Sequence, residues 1–131
     1  DSILDGIPIA LPALLRARRI QEKAAGVGFD WDKKDQVFNK IEEEVVELKE
    51  ALNSNNGIEE ELGDVLFSVV NLSRHLNLDP EKILKLSIEK FSKRFKRIEK
   101  DLENKNIQMQ NLTLDELDKI WEKNKLLDKE I

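Results

Sequence analysis

Four carboxylates stand at spacings that suit a divalent cation. Glu44 and Glu47 lie three residues apart, and Glu61 and Asp64 repeat that spacing after thirteen intervening residues. Side chains three apart on a helix point the same way, so each pair places two carboxylates on one face. Like charges this close oppose helix formation by roughly a few tenths of a kcal/mol per pair. A solvated acidic face tolerates that cost, and a bound cation removes it. No thiolate accompanies these groups, and the chain has one His, so the donors are hard oxygens of the kind that hold Mg²⁺ or Mn²⁺. Lys40, Glu43 and Glu50 share the arc of Glu44 and Glu47. Farther on, Lys90, Arg94 and Arg97 follow at i, i+4 and i+7. Alone they read as a basic face that keeps a helix solvated. Beside a metal they have the chemistry a polyphosphate needs, with fixed cations to neutralise the charge the metal leaves.

These residues need helices to position them, and the composition supplies helices. The 131 residues are 37% charged and 40% hydrophobic, with 5 Gly, 3 Pro and no Tyr. That is helix composition. Residues 1–11 read as a linker or irregular arm. A first helix is expected over 11–25, with Pro12 in its first turn, and a loop through Gly26, Gly28 and Trp31 follows. A second helix is expected over 34–52, a turn over 53–57, and a third helix over 58–76. Asp79-Pro80 is an N-cap followed by Pro at the first helical position, which starts a fourth helix running to about residue 103. Residues 104–112 read as a loop. Thr113 and Glu116 form a capping box for a last helix over 114–128. The expected fold is all-α, an antiparallel bundle of four or five helices in one domain over residues 12–131.

The apolar pattern adds detail. On the second helix Ile41, Val45, Leu48 and Leu52 make one stripe, the expected core face. On the fourth, the stripe is Leu84, Ile88, Phe91, Phe95, Ile98 and Leu102. The third helix is apolar nearly all round, which predicts burial on several sides. It is interrupted by one polar stripe, Glu61, Asp64, Ser68, Asn71 and His75, at i, i+3, i+7, i+10 and i+14. Acidic groups on a buried helix require either a cation or a basic partner.

Composition also excludes. Without Cys there is no disulfide and no thiolate chemistry. A lone His75 makes a Ser-His triad improbable, and the absence of any Glu-x-x-His pair argues against a di-iron bundle. The net charge is −5, with 22 Lys plus Arg against 27 Asp plus Glu, which argues against a nucleic-acid binder. No apolar run of 18 residues occurs, so a membrane partner is not expected. No secretory signal is visible, and a cytoplasmic location is expected. The chain opens on Asp1, which suggests processing or a piece of a longer protein.

The ordered set of segments resembles a known family. Glu43-Glu44-x-x-Glu47 followed by Glu61-x-x-Asp64 has the form EExxE…ExxD, the signature of the MazG-like all-α nucleoside triphosphate pyrophosphohydrolases. Stretches 11–17, 21–31, 60–67, 70–76, 89–95 and 120–125 are similar to successive parts of the C-terminal domain of that family, so the likeness covers nearly the whole chain. It implies hydrolysis of a nucleoside triphosphate to the monophosphate and pyrophosphate, with Glu44, Glu47, Glu61 and Asp64 as Mg²⁺ ligands. It implies nucleotide contacts from Lys40, Glu43, Lys90, Arg94 and Trp121, and a homodimer or higher homo-oligomer. Glu43 or Glu47 would serve as general base, and the sequence does not choose between them. Trp121 would stack on the base or else anchor its helix in the core. Phe29 and Trp31 read as loop anchors with a role near the base left open, and His75 as a hydrogen-bonding residue. The alternatives are a narrower dUTP, dCTP or phosphoribosyl-ATP pyrophosphatase, and a non-enzymatic helical interaction module.

Overall fold

The computed structural model describes residues 1–129; Glu130 and Ile131, the end of the expected 12–131 domain, lie outside the described residues. The order is α1 (Ala13–Gly26), α2 (Lys34–Ser54), α3 (Ile58–His75), α4 (Pro80–Asn104), a 3₁₀ turn (Met109–Asn111) and α5 (Leu114–Lys129). Among the described residues there is no strand, and no helix is long and apolar enough to cross a membrane. Two compact units divide the chain, one over Asp1–Ile83 and one from Leu84 onward.

Side chains and backbone at the helix ends explain the boundaries. α2, α3 and α4 are each followed by an Asn in the left-handed region, Asn55 (φ 52°), Asn77 (φ 58°) and Asn106 (φ 56°). Asn tolerates that conformation better than most residues, and it lets the chain fold back onto the last carbonyls of the helix. Accordingly Asn56 N–H donates to Ala51 O (3.1 Å), Leu78 N–H to Ser73 O (2.9 Å) and Ile107 N–H to Leu102 O (2.9 Å). At the starts, Asp79 Oδ1 accepts from the N–H of Glu81 at 3.0 Å. Thr113 Oγ1 accepts from the N–H of Glu116, whose carboxylate accepts from the N–H of Thr113, both at 3.2 Å. Helix ends fall within two residues of expectation, α2 running to Ser54 instead of residue 52, and two differences have a visible cause. α1 begins at Ala13 because Pro12, with ψ 140°, stays extended outside it. The expected loop 104–112 contains a single 3₁₀ turn, closed by Leu112 N–H to Met109 O at 3.0 Å.

In the first unit α2 and α3 form an antiparallel hairpin and α1 packs against α3. The reversal uses Asn55 and Gly57 (φ 72°), both left-handed. The face that α2 buries is Val37, Glu44 and Ala51, with Ile41 and Leu48 partly covered. This corrects the expected stripe, because Val45 and Leu52 are 37% and 56% exposed. The helix is rotated so that Glu44, not Val45, turns inward toward α3, while Glu43, Glu47 and Glu50 stay exposed. α3 is also less enclosed than its composition implied. Val70 is buried, while Leu62, Leu66 and Val69 make an outward apolar face about half exposed. In the second unit only Ile98 and Leu102 of the expected α4 stripe are fully buried. Phe91 and Phe95 stack at 5.9 Å, and Phe91 meets Trp121 at 5.0 Å.

The Asp79 cap yields a direct expectation. Asp79→Ala removes the acceptor for the first turn of α4 and should cost about 1 kcal/mol, read as a lower midpoint in urea unfolding with an unchanged slope. An unchanged midpoint would show that the cap contributes nothing.

Candidate functional site

The hairpin brings three of the four predicted carboxylates together. One oxygen from each of Glu44, Glu61 and Asp64 lies within 4.8 Å of the others. Glu47 stands outside this group but beside Glu61. Partial burial pushes the Glu61 carboxyl above its ordinary range, and the charge and hydrogen bonding of Glu47 push the same way, followed by Asp64 and Glu44. Lys40 Nζ lies 3.0 Å from Glu44 Oε1 and 3.6 Å from Glu43 Oε2. The hydrogen bond to Glu44 raises the Lys40 pKa, against the effect of burial. Glu43 itself is largely in solvent. Two carboxylate oxygens of this group remain without a hydrogen-bond partner among the described residues although both are buried, Glu44 Oε2 and Glu61 Oε2. A buried, unpartnered carboxylate oxygen is costly. An all-oxygen set with two such atoms fits a hard divalent cation.

Beside this group opens a cavity of about 590 Å³, within the range of small-ligand sites. Lys40, Glu44 and Asp64 line it together with Phe29, Trp31 and Phe67. The polar stripe of α3 contributes Ser68 and Asn71. Asn71 lies seven residues beyond Asp64, about 10 Å along the helix axis.

The wall that carries Phe29 and Trp31 is a loop, and a charge cluster ties it to α3. Gly28 (φ 91°) turns the chain after α1, with Phe29 N–H donating to Ala24 O at 3.0 Å. Asp30 then accepts from Arg74 at both oxygens, at 2.6 and 3.1 Å. His75 Nε2 lies 2.8 Å from Asp30 Oδ1, which gives His75 its expected hydrogen-bonding role. The Arg74 hydrogen bond, with help from His75 and the Trp31 N–H, lowers the Asp30 pKa to about 2 against the opposing effect of burial. The sequence reading passed over Asp30 and Arg74. Their pairing spans 44 residues, and no local spacing signals it.

The remaining predicted residues belong to the second unit. Arg94 pairs with Asp128 of α5, and its guanidinium carbon lies 5.6 Å from the Trp121 ring centre. Arg97 donates to Asn124 Oδ1 (2.9 Å) and Asp128 Oδ1 (2.8 Å). The two arginines hold the Asp128 carboxyl below its usual range. Lys90 and Arg94 line a shared surface depression on this unit. Trp121, Arg94 and Phe91 thus form one cluster.

The model of the MazG nucleotide pyrophosphohydrolase domain matches residues 33–98, from the start of α2 into α4. A Thermotoga maritima protein described as nucleoside triphosphate pyrophosphohydrolase/pyrophosphatase MazG is 51% identical over 115 residues, covering 88% of this chain and 45% of that protein. The Escherichia coli K12 nucleoside triphosphate pyrophosphohydrolase is 39% identical over 125 residues, covering 92% of this chain and 48% of its own. An uncharacterised Bacillus subtilis protein, YabN, is 37% identical, with 25% of its length covered. The chain spans about half the length of the first two relatives.

The loop tie has a pH signature. A carboxylate held at about 2 contributes stability above its ordinary pKa and loses it as pH falls through the window from about 4 to about 2. Asp30→Asn should therefore lower the melting temperature at pH 7, and the gap to the parent chain should narrow as pH drops through that window. A gap that stays constant with pH would show that the ionised carboxylate is not the source.

Proposed function

The chain belongs to the MazG nucleotide pyrophosphohydrolase family, and from that premise we propose that it hydrolyses nucleoside triphosphates to monophosphates and pyrophosphate. The observation that carries this reading is the group of Glu44, Glu61 and Asp64, with its two buried unpartnered oxygens, on the rim of a nucleoside-sized cavity. Those three residues, with Glu47 beside them, would hold Mg²⁺. When bound, the ion would neutralise phosphate oxygens and lower the pKa of an attacking water. Lys40, on the same arc and 3.0 Å from Glu44, adds a cation whose ammonium Glu44 and a phosphate would share. Glu47 suits the general base better than Glu43, because it stands beside Glu61 whereas Glu43 faces solvent near Lys40. The reaction is attack of water on the α-phosphorus: the new P–O bond forms, the bond to the bridging oxygen breaks, pyrophosphate leaves, and Glu47 takes the proton. Phe29, Trp31 and Phe67 provide aromatic surface for the nucleoside. Lys90, Arg94 and Trp121 add nucleotide contacts of cationic and stacking type, as their chemistry suits.

The outward apolar face of α3 supports a homo-oligomer. A strip with Leu62, Leu66 and Val69 about half exposed is of the kind that marks an interface, and a second copy of the chain covers it in this reading.

Incubation of the chain with ATP and Mg²⁺ should give AMP and pyrophosphate in equal amounts; ADP and orthophosphate would overturn the reaction. Glu44→Gln and Asp64→Asn should each lower kcat/KM by on the order of 10²-fold or more, since even groups behind a metal ligand cost 10–100-fold, and should abolish the rise in melting temperature with Mg²⁺. Near-normal turnover in both would remove the metal assignment. Leu66→Glu should shift the mass in light scattering from oligomer to monomer; an unchanged mass would move the interface elsewhere.

A further inference from the structure

The cavity has a polar end that the reaction does not use, and its hydrogen-bonding sense is fixed. Asn71 is buried, and its side-chain oxygen accepts from Arg74 Nε (3.1 Å) and Nη2 (2.8 Å). A guanidinium has donors only, so the atom facing Arg74 must be the amide oxygen. Arg74 cannot turn to offer anything else, because Asp30 holds it at two oxygens. The Asn71 amide nitrogen is thereby left as the free end, and among the described residues it donates to nothing. Asn71 lines the cavity, so this nitrogen supplies two N–H donors and no acceptor.

The charged neighbour of Asn71 does not reverse that sense. Asp30 also lines the cavity, but its oxygens already receive Arg74, the Trp31 N–H (2.8 Å) and His75. Gln21 donates to Phe67 O at 2.9 Å, and its buried oxygen has no partner among the described residues. The Ser68 hydroxyl can donate or accept.

We propose that Asn71 reads the base of the nucleotide, and that its donor-only presentation favours bases with a carbonyl edge over bases with an amino group there. This inference rests on the pyrophosphohydrolase reading for the ligand class and extends it to base choice. The N7 and O6 of a 6-oxopurine are two adjacent acceptors, which match two N–H donors. Adenine sets an amino donor beside N7, so one donor would oppose another and both would lose a partner. The same contrast separates a 4-oxopyrimidine from cytosine. Asn71 is the specificity residue, and Arg74 and Asp30 are positioning residues that act through it.

ITP and ATP make the cleanest comparison, because their bases differ at this edge. Steady-state kcat/KM and calorimetric Kd for both, and for UTP and CTP, provide the test in the full chain. The expected result is a preference of about tenfold or more for ITP over ATP, the scale of a good bidentate base contact, with UTP similarly above CTP. Asn71→Ala should bring both ratios near one. Asn71→Asp, which presents an acceptor in place of the amide nitrogen, should shift both toward ATP and CTP. Ratios within twofold of one in the parent chain, or ratios unchanged in Asn71→Ala, would overturn the proposal; the parent-chain comparison decides even if a variant fails to fold. The two readings fail separately. Hydrolysis to monophosphate without base preference overturns base reading alone. Tighter binding of ITP than ATP without hydrolysis supports base reading and overturns the activity, and binding of neither overturns both.

Discussion

Crowding of like charge on one hairpin is the constraint around which the first unit is organised. Three carboxylate oxygens within 4.8 Å repel one another when ionised, and the crowding adds to the upward push on the Glu61 carboxyl. Lys40 offsets only part of this, since it sits on Glu44 and leaves Glu61 and Asp64 facing each other. The arrangement persists because α2 and α3 are clamped on both sides of it. Val37, Ala51 and Val70 pack beneath, and the left-handed pair Asn55 and Gly57 fixes the reversal. Relaxing the carboxylates apart would require rotating α2, which would expose Val37 and Ala51. Apolar burial therefore holds a charge cluster that the chain alone does not satisfy, and the stored repulsion is what a divalent cation would relieve.

The second consequence of the hairpin is that α3 becomes the spine of the site. Glu61 and Asp64 face the carboxylates of α2, and one to two turns later Ser68 and Asn71 face the cavity. A single helical stripe thus carries both the groups suited to phosphates and the groups suited to a base, at a separation set by the helical rise. The rigidity of the helix fixes that separation more firmly than loops would. The acidic surplus of the composition is concentrated in this way. Although the chain carries −5 overall, the cationic side chains of the second unit are partly committed within it, with Arg94 and Arg97 both on Asp128.

What could be read from the sequence was whatever depends on near neighbours. The helix starts at Asp79 and Thr113 were legible because a cap is a matter of two or three residues. The grouping of Glu44 with Glu61 and Asp64 was legible because periodicity fixes each face and a short turn fixes the direction of return. The inward face of α2 was misjudged for a related reason. Hydrophobicity ranks Val45 and Leu52 above Glu44 as core residues, yet Glu44 is the side chain turned inward, and burial of a charged side chain runs against any hydropathy rule. The exposure of Leu62, Leu66 and Val69 was equally invisible, since an apolar residue at a subunit interface and one in a core look alike in sequence. Asp30 and Arg74 lay beyond local reasoning altogether, because their pairing depends on how the loop after α1 crosses the end of α3.

That crossing bears on why the loop exposes aromatic side chains. Phe29 is 79% exposed and Trp31 41%, and an unrestrained loop with such residues would gain by folding them onto the nearest apolar surface. The Arg74 and His75 contacts prevent this by holding Asp30, the residue between the two aromatics, against α3. The ring faces are thereby kept along the cavity wall, where a planar ligand can cover them. The same arginine orients the Asn71 amide, so one ion pair sets the position of the stacking surface and the direction of the hydrogen-bonding edge together. A ligand that satisfies one is therefore already placed to meet the other, and the conformational entropy of ordering both has been spent during folding instead of at binding.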